Sequence, residues 1–180
     1  LFYADNVPEV FEKENNNSTI VANQIRIPAV LNGRIDSPGD IDNFVFAGKA
    51  GDRVIAEVYA RRLGSPLDST LRLIDSKGSV LQTNDDYLDR TMGMVTHHAD
   101  SYINFVLPAN GAYTLSLRDV QGKGGEFYAY RLRVSPPRPD FKLRVSPSTV
   151  SIPRGGVMPL SLFVQRVDGF TNDIVLSLED

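Results

Sequence analysis

Three observations predict an all-β chain folded as two packed antiparallel sheets, of the β-sandwich or jelly-roll type, and followed by a partial Ig-like β segment. Apolar residues recur mostly with period two, which places alternate side chains on one face of a pleated strand. The alternating runs are short and are separated, at intervals of about 8 to 12 residues, by clusters of Gly, Pro and Asn. Of the 22 acidic residues, 16 are Asp and 6 are Glu. Asp competes for nearby backbone N–H groups and so favours turns, caps and cation loops over helix interiors.

Taken in order, Phe44 and Phe46 alternate before the turn Gly48 to Asp52, and Val54, Ala56 and Val58 share one face of the next run, which predicts a hairpin. Leu71 and Leu73 lead to Asp75-Ser76-Lys77-Gly78, whose first Asp and last Gly suit a type I turn, and Val80 to Thr83 return as a second hairpin. Ile103, Phe105 and Leu107 reach Asn110-Gly111, a dipeptide suited to positive φ, and Tyr113, Leu115 and Leu117 predict a third. After the glycine-rich loop 121–125, Tyr128, Tyr130, Leu132 and Val134 form one face of a strand. Ala129, Arg131 and Arg133 form the other, which predicts one solvated side.

The pattern breaks at Ser135 to Asp140, where three prolines fall within six residues. The organisation predicted is an N-terminal linker 1–8, a sandwich 9–135, a Pro-rich linker 136–140 and a partial Ig-like segment 141–180. In the last, Phe141 to Val145, Val150 to Ile152, Leu160 to Val167 and Ile174 to Leu178 are strand candidates. The first residue is Leu1, so the chain is read as a piece of a longer polypeptide, with any export signal upstream.

Composition excludes several classes of function. A chain of 180 residues buries about 70% of its surface on folding, enough for a core without staples. The absence of Cys excludes disulfides, thiolate metal sites and Cys nucleophiles. With a net charge of -3 and basic residues scattered singly or in pairs, no stripe tracks a phosphate backbone, so nucleic acid is not an expected partner. No apolar run approaches the ~20 residues of a membrane helix, and no membrane insertion is expected.

Several motifs stand in a fixed order along the chain. They are Glu12-Lys13-Glu14-Asn15-Asn16-Asn17, Ala22, Asn32-Gly33, Gly39-Asp40-Ile41-Asp42-Asn43-Phe44-Val45-Phe46 and Ala50-Gly51-Asp52. Further along come Leu67-Asp68-Ser69-Thr70-Leu71, Asp75 with Gly78, Asn84-Asp85-Asp86, and Leu107 to Tyr113. In this order they resemble the bacterial pre-peptidase C-terminal domain. The resemblance spans roughly Glu9 to Val134, and segments such as Gly64 to Asp68 and Thr96 to Ser101 look like a planctomycete-type variant from large exported proteins. It implies a jelly-roll module of secreted or cell-surface proteins, noncatalytic, whose partner is the rest of its own polypeptide. The chain is also similar to the collagen-binding module of clostridial collagenases, in which an acidic N-terminal segment and a Gly-Asp-x-Asp turn hold calcium. That similarity implies calcium at Glu12, Glu14, Asn16, Asn17, Asp40 and Asp42, with Asn15 standing where the family usually has proline.

Physical chemistry gives the same cluster a rationale, since calcium takes six to eight oxygens and an extended segment puts Glu12 with Glu14, and Asp40 with Asp42, on shared faces. The alternative is that the glutamates are solvated and the aspartates shape the turn at Pro38-Gly39. A second metal candidate is Asp68, Asn84, Asp85, Asp86, Asp89 and Asp100, with turn capping or ion pairing as the alternative. The interval 84–101 is the longest without strand pattern and so a candidate site. Tyr113, Tyr128 and Tyr130 are candidates for a face that binds collagen-like protein or polysaccharide, against a core role. His97 and His98 point to opposite faces of a strand, and a packing or hydrogen-bonding role is expected. No catalytic residue is assigned, because no Gly-x-Ser-x-Gly elbow is present and no His or Cys beyond this pair is available to complete a zinc site.

Overall fold

The computed structural model describes residues 6–92 and 97–177, apart from the side chains of Met92 and His97. The chain forms two compact units, one of residues up to Leu88 with His97–Pro137, the other of Asp89–Thr96 with Arg138–Asp180. The first is the predicted sandwich. One sheet has the order β1 (Glu9–Phe11), β3 (Ala29–Arg34), β12 (Ala129–Ser135), β5 (Arg53–Tyr59), β10 (Tyr102–Val106). The other runs β2 (Asn23–Gln24), β4 (Asp42–Gly48), β11 (Gly111–Asp119), β6 (Ser69–Ile74), β7 (Val80–Asn84). A small pair, β8 (Tyr87–Leu88) with β9 (His97–His98), completes this unit. Pairing is antiparallel except at two edges, where β1 runs parallel to β3 and β2 parallel to β4.

The period-two stripes meet in the core. Leu31, Phe44, Phe46, Val54, Ala56, Val58, Leu71, Leu73, Ile103, Leu115, Leu117, Leu132 and Val134 are all buried in one cluster. Each such aliphatic or aromatic side chain contributes about 1.5–3 kcal/mol when fully removed from water.

Two of the three predicted hairpins are corrected. β4 and β5 lie in different sheets, as do β10 and β11, so the turns 48–52 and 107–111 are crossovers. The two crossovers bond to each other: Gly51 N–H donates to Leu107 O at 2.9 Å, Leu107 N–H to Asp52 O at 2.8 Å, and Ala50 N–H to Asn110 Oδ1 at 2.8 Å. Neither Asn110 nor Gly111 takes positive φ, because no tight hairpin turn is made there. The β6–β7 hairpin forms as predicted, with Gly78 at φ 82° and Asp75 Oδ1 accepting from the Lys77 and Ser79 N–H groups.

The predicted wet face of β12 is also corrected. Arg133 is buried against Glu57, with Nη2 2.8 Å from Oε2, and Arg62 bridges Glu57 to Asp100 at 3.0 and 2.7 Å. Pairing keeps these charges satisfied away from water.

In the second unit, β13 (Asp140–Ser146) pairs antiparallel with β14 (Ser161–Val167). Val150 to Ile152 and residues 174–177 are not strands, and the candidate strand's last residue, Leu178, lies outside the described residues.

Candidate metal centre

Asp42 opens β4 in phase with Phe44 and Phe46, so the stripe that fills the core also turns the Asp42 carboxylate inward, and it is fully buried. Across the sandwich, Tyr130 lies on β12 in phase with Leu132 and Val134 and pairs in register with Gly33 of β3. The Tyr130 hydroxyl is 2.7 Å from Asp42 Oδ2 and 2.8 Å from Glu12 Oε2. Glu12 follows β1. Its N–H donates to Asn32 O at 3.0 Å, and its Oε1 accepts the Arg34 N–H at 2.6 Å. Carboxylate oxygens of Glu12, Glu14 and Asp42 all lie within 4.8 Å of one another. The cluster therefore sits where the two sheets meet.

Gly33 makes this approach sterically feasible. A Cβ built there would stand 2.3 Å from Glu12 Oε2 and 2.4 Å from the Tyr130 hydroxyl. The Glu14 side chain accepts the Asn16 N–H at 3.3 Å, and the Glu14–Asn15 peptide bond is cis.

The electrostatics are unfavourable for the protein groups alone. Burial, then the Glu12 charge, pushes the Asp42 carboxyl up to about 9. Burial raises Glu12 and Glu14 as well, and Asp40 adds to the rise at Glu14. Tyr130 is raised by burial and by both carboxylates. A phenol has one proton to donate, so two carboxylates around it are not both served by that hydrogen. Asp42 Oδ1, Asn16 Oδ1 and Asn16 Nδ2 are buried without a hydrogen-bond partner. Unpaired buried polar atoms cost about 1–3 kcal/mol each. Three carboxylates and the Asn16 amide oxygen, with Asp42 Oδ1 and Asn16 Oδ1 left unpaired among them, fit a hard, oxygen-seeking cation.

Of the six residues implied for calcium, the structure brings Glu12, Glu14 and Asp42 together, with Asn16 buried beside them. Asp40 is buried but serves the turn: its Oδ2 accepts the Asp36 N–H at 2.7 Å and its Oδ1 the Ile41 N–H at 2.9 Å. Asn17 is exposed. Tyr130 and Gly33 were missed as parts of this centre, although the in-phase spacing of Asp42 with Phe44 already signalled a buried carboxylate.

The second acidic candidate is not drawn together. Asp100 accepts N–H groups of Ala60, Arg61 and Arg62 and pairs with the Arg62 guanidinium. Asn84 Oδ1 accepts the Tyr102 N–H, its Nδ2 donates to Asp86 O, and Asp85 Oδ1 accepts the Asp86 N–H. Asp89 caps Thr91, and Asp68 N–H donates to Asp119 Oδ2 at 3.0 Å. Asn84, Asp85, Asp89 and Asp100 thus serve turns or an ion pair, whereas burial and the nearby charges of Asp86, Asp119 and Asp85 raise the Asp68 carboxyl. Residues 93–96 of the interval 84–101 lie outside the described residues. His98 packs on Tyr87 with ring centroids 5.1 Å apart, and its Nδ1 accepts the Asp100 N–H at 3.3 Å.

The tyrosine face is corrected. Tyr113 and Tyr130 are core residues at 3% exposure, and Tyr128 is half-buried against the same core. Tyr113 stacks on Phe46 and donates to Ala109 O at 2.7 Å.

No family model matches the chain. A probable subtilase-type serine protease of Deinococcus radiodurans is 44% identical over 81 residues, which are 44% of this chain and 10% of that protein. The chain thus spans about a tenth of the length of this curated relative. Among solved structures, the pre-peptidase C-terminal domain of Bacillus anthracis collagenase is similar with 15% identity and a TM-score of 0.43, covering 73% of this chain and all of that one. The chain is similar to pre-peptidase C-terminal domains. A periplasmic inhibitor of g-type lysozyme from Aeromonas hydrophila is also similar, at 16% identity and a TM-score of 0.46, covering 63% of this chain and 94% of the inhibitor.

Proposed function

We propose that this chain is a noncatalytic accessory module of a larger secreted or cell-surface bacterial protein, a β-sandwich whose sheets are clamped at one edge by calcium. The orphaned, buried oxygens of Asp42 and Asn16 beside Glu12 and Glu14 carry the reading. Glu12, Glu14, Asp42 and Asn16 would hold the ion, which supplies positive charge where burial now opposes ionisation. Glu12 leads in from an edge strand and Asp42 belongs to the opposite sheet, so the ion would tie β1 to β4 and stiffen the module for spacing, folding or targeting of its parent. The similarity to part of a subtilase-type protease supports attachment to a longer polypeptide.

Residues 141–180 are proposed to be the opening strands of an Ig-like segment. Leu143, Val145 and Leu162 stand partly exposed on one face of β13–β14, a face that a sandwich domain would bury.

The test is a thermal melt in calcium and in EDTA. A site that binds only the native state adds about 2.7 kcal/mol at 100 times its dissociation constant, so the parent is expected to melt several degrees higher in calcium. Asp42→Asn, which keeps the shape and removes the charge, is expected to melt alike in both. Equal melting temperatures for the parent would remove the calcium reading.

A further inference from the structure

A concavity of about 740 Å³ opens over the outward-facing residues of β1, β3, β12 and β5 and reaches the candidate metal centre at Glu12, Gly33 and Tyr130. Its floor is a lateral row in register, Phe11, Asn32, Arg131 and Tyr59. Phe11 stands at one side and Phe127 at the other, 74% and 71% exposed. The far wall is fixed, since Ser65 Oγ donates to Phe127 O at 3.1 Å. Gly33, Gly64 and Ala129 keep the space between the walls open.

The guanidinium groups of the groove are paired from within, and Glu12 and Glu126 add two carboxylates to its lining. Arg131 Nη2 pairs with Glu9 Oε1 at 2.8 Å, Arg131 Nη1 donates to Asn32 Oδ1 at 3.1 Å, and Asn32 Nδ2 donates to Glu9 Oε2 at 3.2 Å. Arg34, at the rim, is paired with Asp36. An anionic ligand would meet guanidinium groups that already face carboxylates. Asn32 still has one amide hydrogen and one carbonyl lone pair beyond these bonds. A hydroxyl, which both donates and accepts, answers that pair; an apolar peptide anchor would cover the amide and leave it unpaired.

We propose that this groove binds a neutral saccharide, with Phe11 and Phe127 packing on the apolar faces of sugar rings and Asn32 bonding a ring hydroxyl. Open clefts of this volume with aromatic walls and few convergent polar groups suit such ligands. The groove borders the candidate metal centre, since Glu12, Gly33 and Tyr130 also line it, but the saccharide contacts assigned here are Phe11, Phe127 and Asn32, none of which is a residue of that centre.

The experiment is an amide ¹H–¹⁵N titration of the whole chain with cellohexaose and with hexa-N-acetylchitohexaose, alongside an uncharged Gly/Pro-rich peptide and a sulfated oligosaccharide. Shifts confined to the groove amides with at least one neutral hexasaccharide are expected. Phe11→Ala/Phe127→Ala is expected to weaken that binding at least tenfold with an unchanged melt. Should the double variant fail to fold, Phe127→Ala alone supplies the comparison. Absence of shifts with both neutral saccharides at millimolar concentration, undiminished binding by the variant, or shifts only with the peptide or the sulfated ligand would each overturn the proposal.

Discussion

Gly33→Ala is expected to lower the stability of the module by about 1–3 kcal/mol, the usual cost of forcing extra volume into a packed site, and to remove most of the calcium-dependent rise in melting temperature. The added Cβ would overlap Glu12 Oε2 and the Tyr130 phenol at once. Glu12 is a flexible side chain and can swing away, which costs the cation a ligand. Tyr130 is locked in the core at 3% exposure and has no such escape. Both responses damage the centre, one by losing an oxygen and the other by shifting the strand that presents the phenol. Gly111→Ala is the control, because its Cβ would find only an ordinary contact with Ser76 Oγ at 3.8 Å and φ there is not positive. Paired melts in calcium and EDTA read both effects. A Gly33→Ala protein with the parent's calcium response would show that Glu12 and Tyr130 do not form the centre as drawn.

How far the sequence revealed this arrangement depends on the kind of interaction. Alternation is a local property, so the stripes through Phe44–Phe46, Leu71–Leu73 and Tyr130–Leu132–Val134 were legible, and with them the sandwich. Strand partnership is not local. Turn signals at 48–52 and 107–111 are real turns, but the bonds between Gly51, Asp52 and Leu107 stitch two crossovers together, and no alternation pattern distinguishes that from two hairpins. Arg133 looked solvated for the same reason, because its buried partner Glu57 sits on a strand 76 residues away. At the metal centre, the acidic residues were visible as a cluster of types, whereas Asp40 and Asp42 separated only once their backbones were placed. Asp40 is claimed by the N–H groups of Asp36 and Ile41; Asp42, two residues on, is in phase with the core and has an oxygen left over.

The same buried carboxylate predicts an unusual pH dependence. In the unfolded chain Asp42 titrates near 3.9, whereas in the native protein burial and Glu12 push it up to about 9. Between those values the native state keeps a proton that the unfolded state has released. Without a cation, this contribution is therefore fully present below about pH 4 and is lost as pH rises towards 9, at up to about 1.4 kcal/mol per pH unit. Glu12 and Glu14, raised for the same reason, act in the same direction. A bound cation takes the place of the proton and favours the ionised carboxylates, so the calcium-loaded protein should lack this decline. The difference between melting temperatures in calcium and in EDTA is accordingly expected to widen from pH 5 to pH 8.5. Asp42→Asn isolates the effect from every other titrating group: its EDTA melt should lose less stability than the parent's over that range, and its calcium response should be absent throughout. A gap that stays constant or narrows with rising pH would mean that proton and cation do not compete for Asp42, and the carboxylate's burial would then need another explanation.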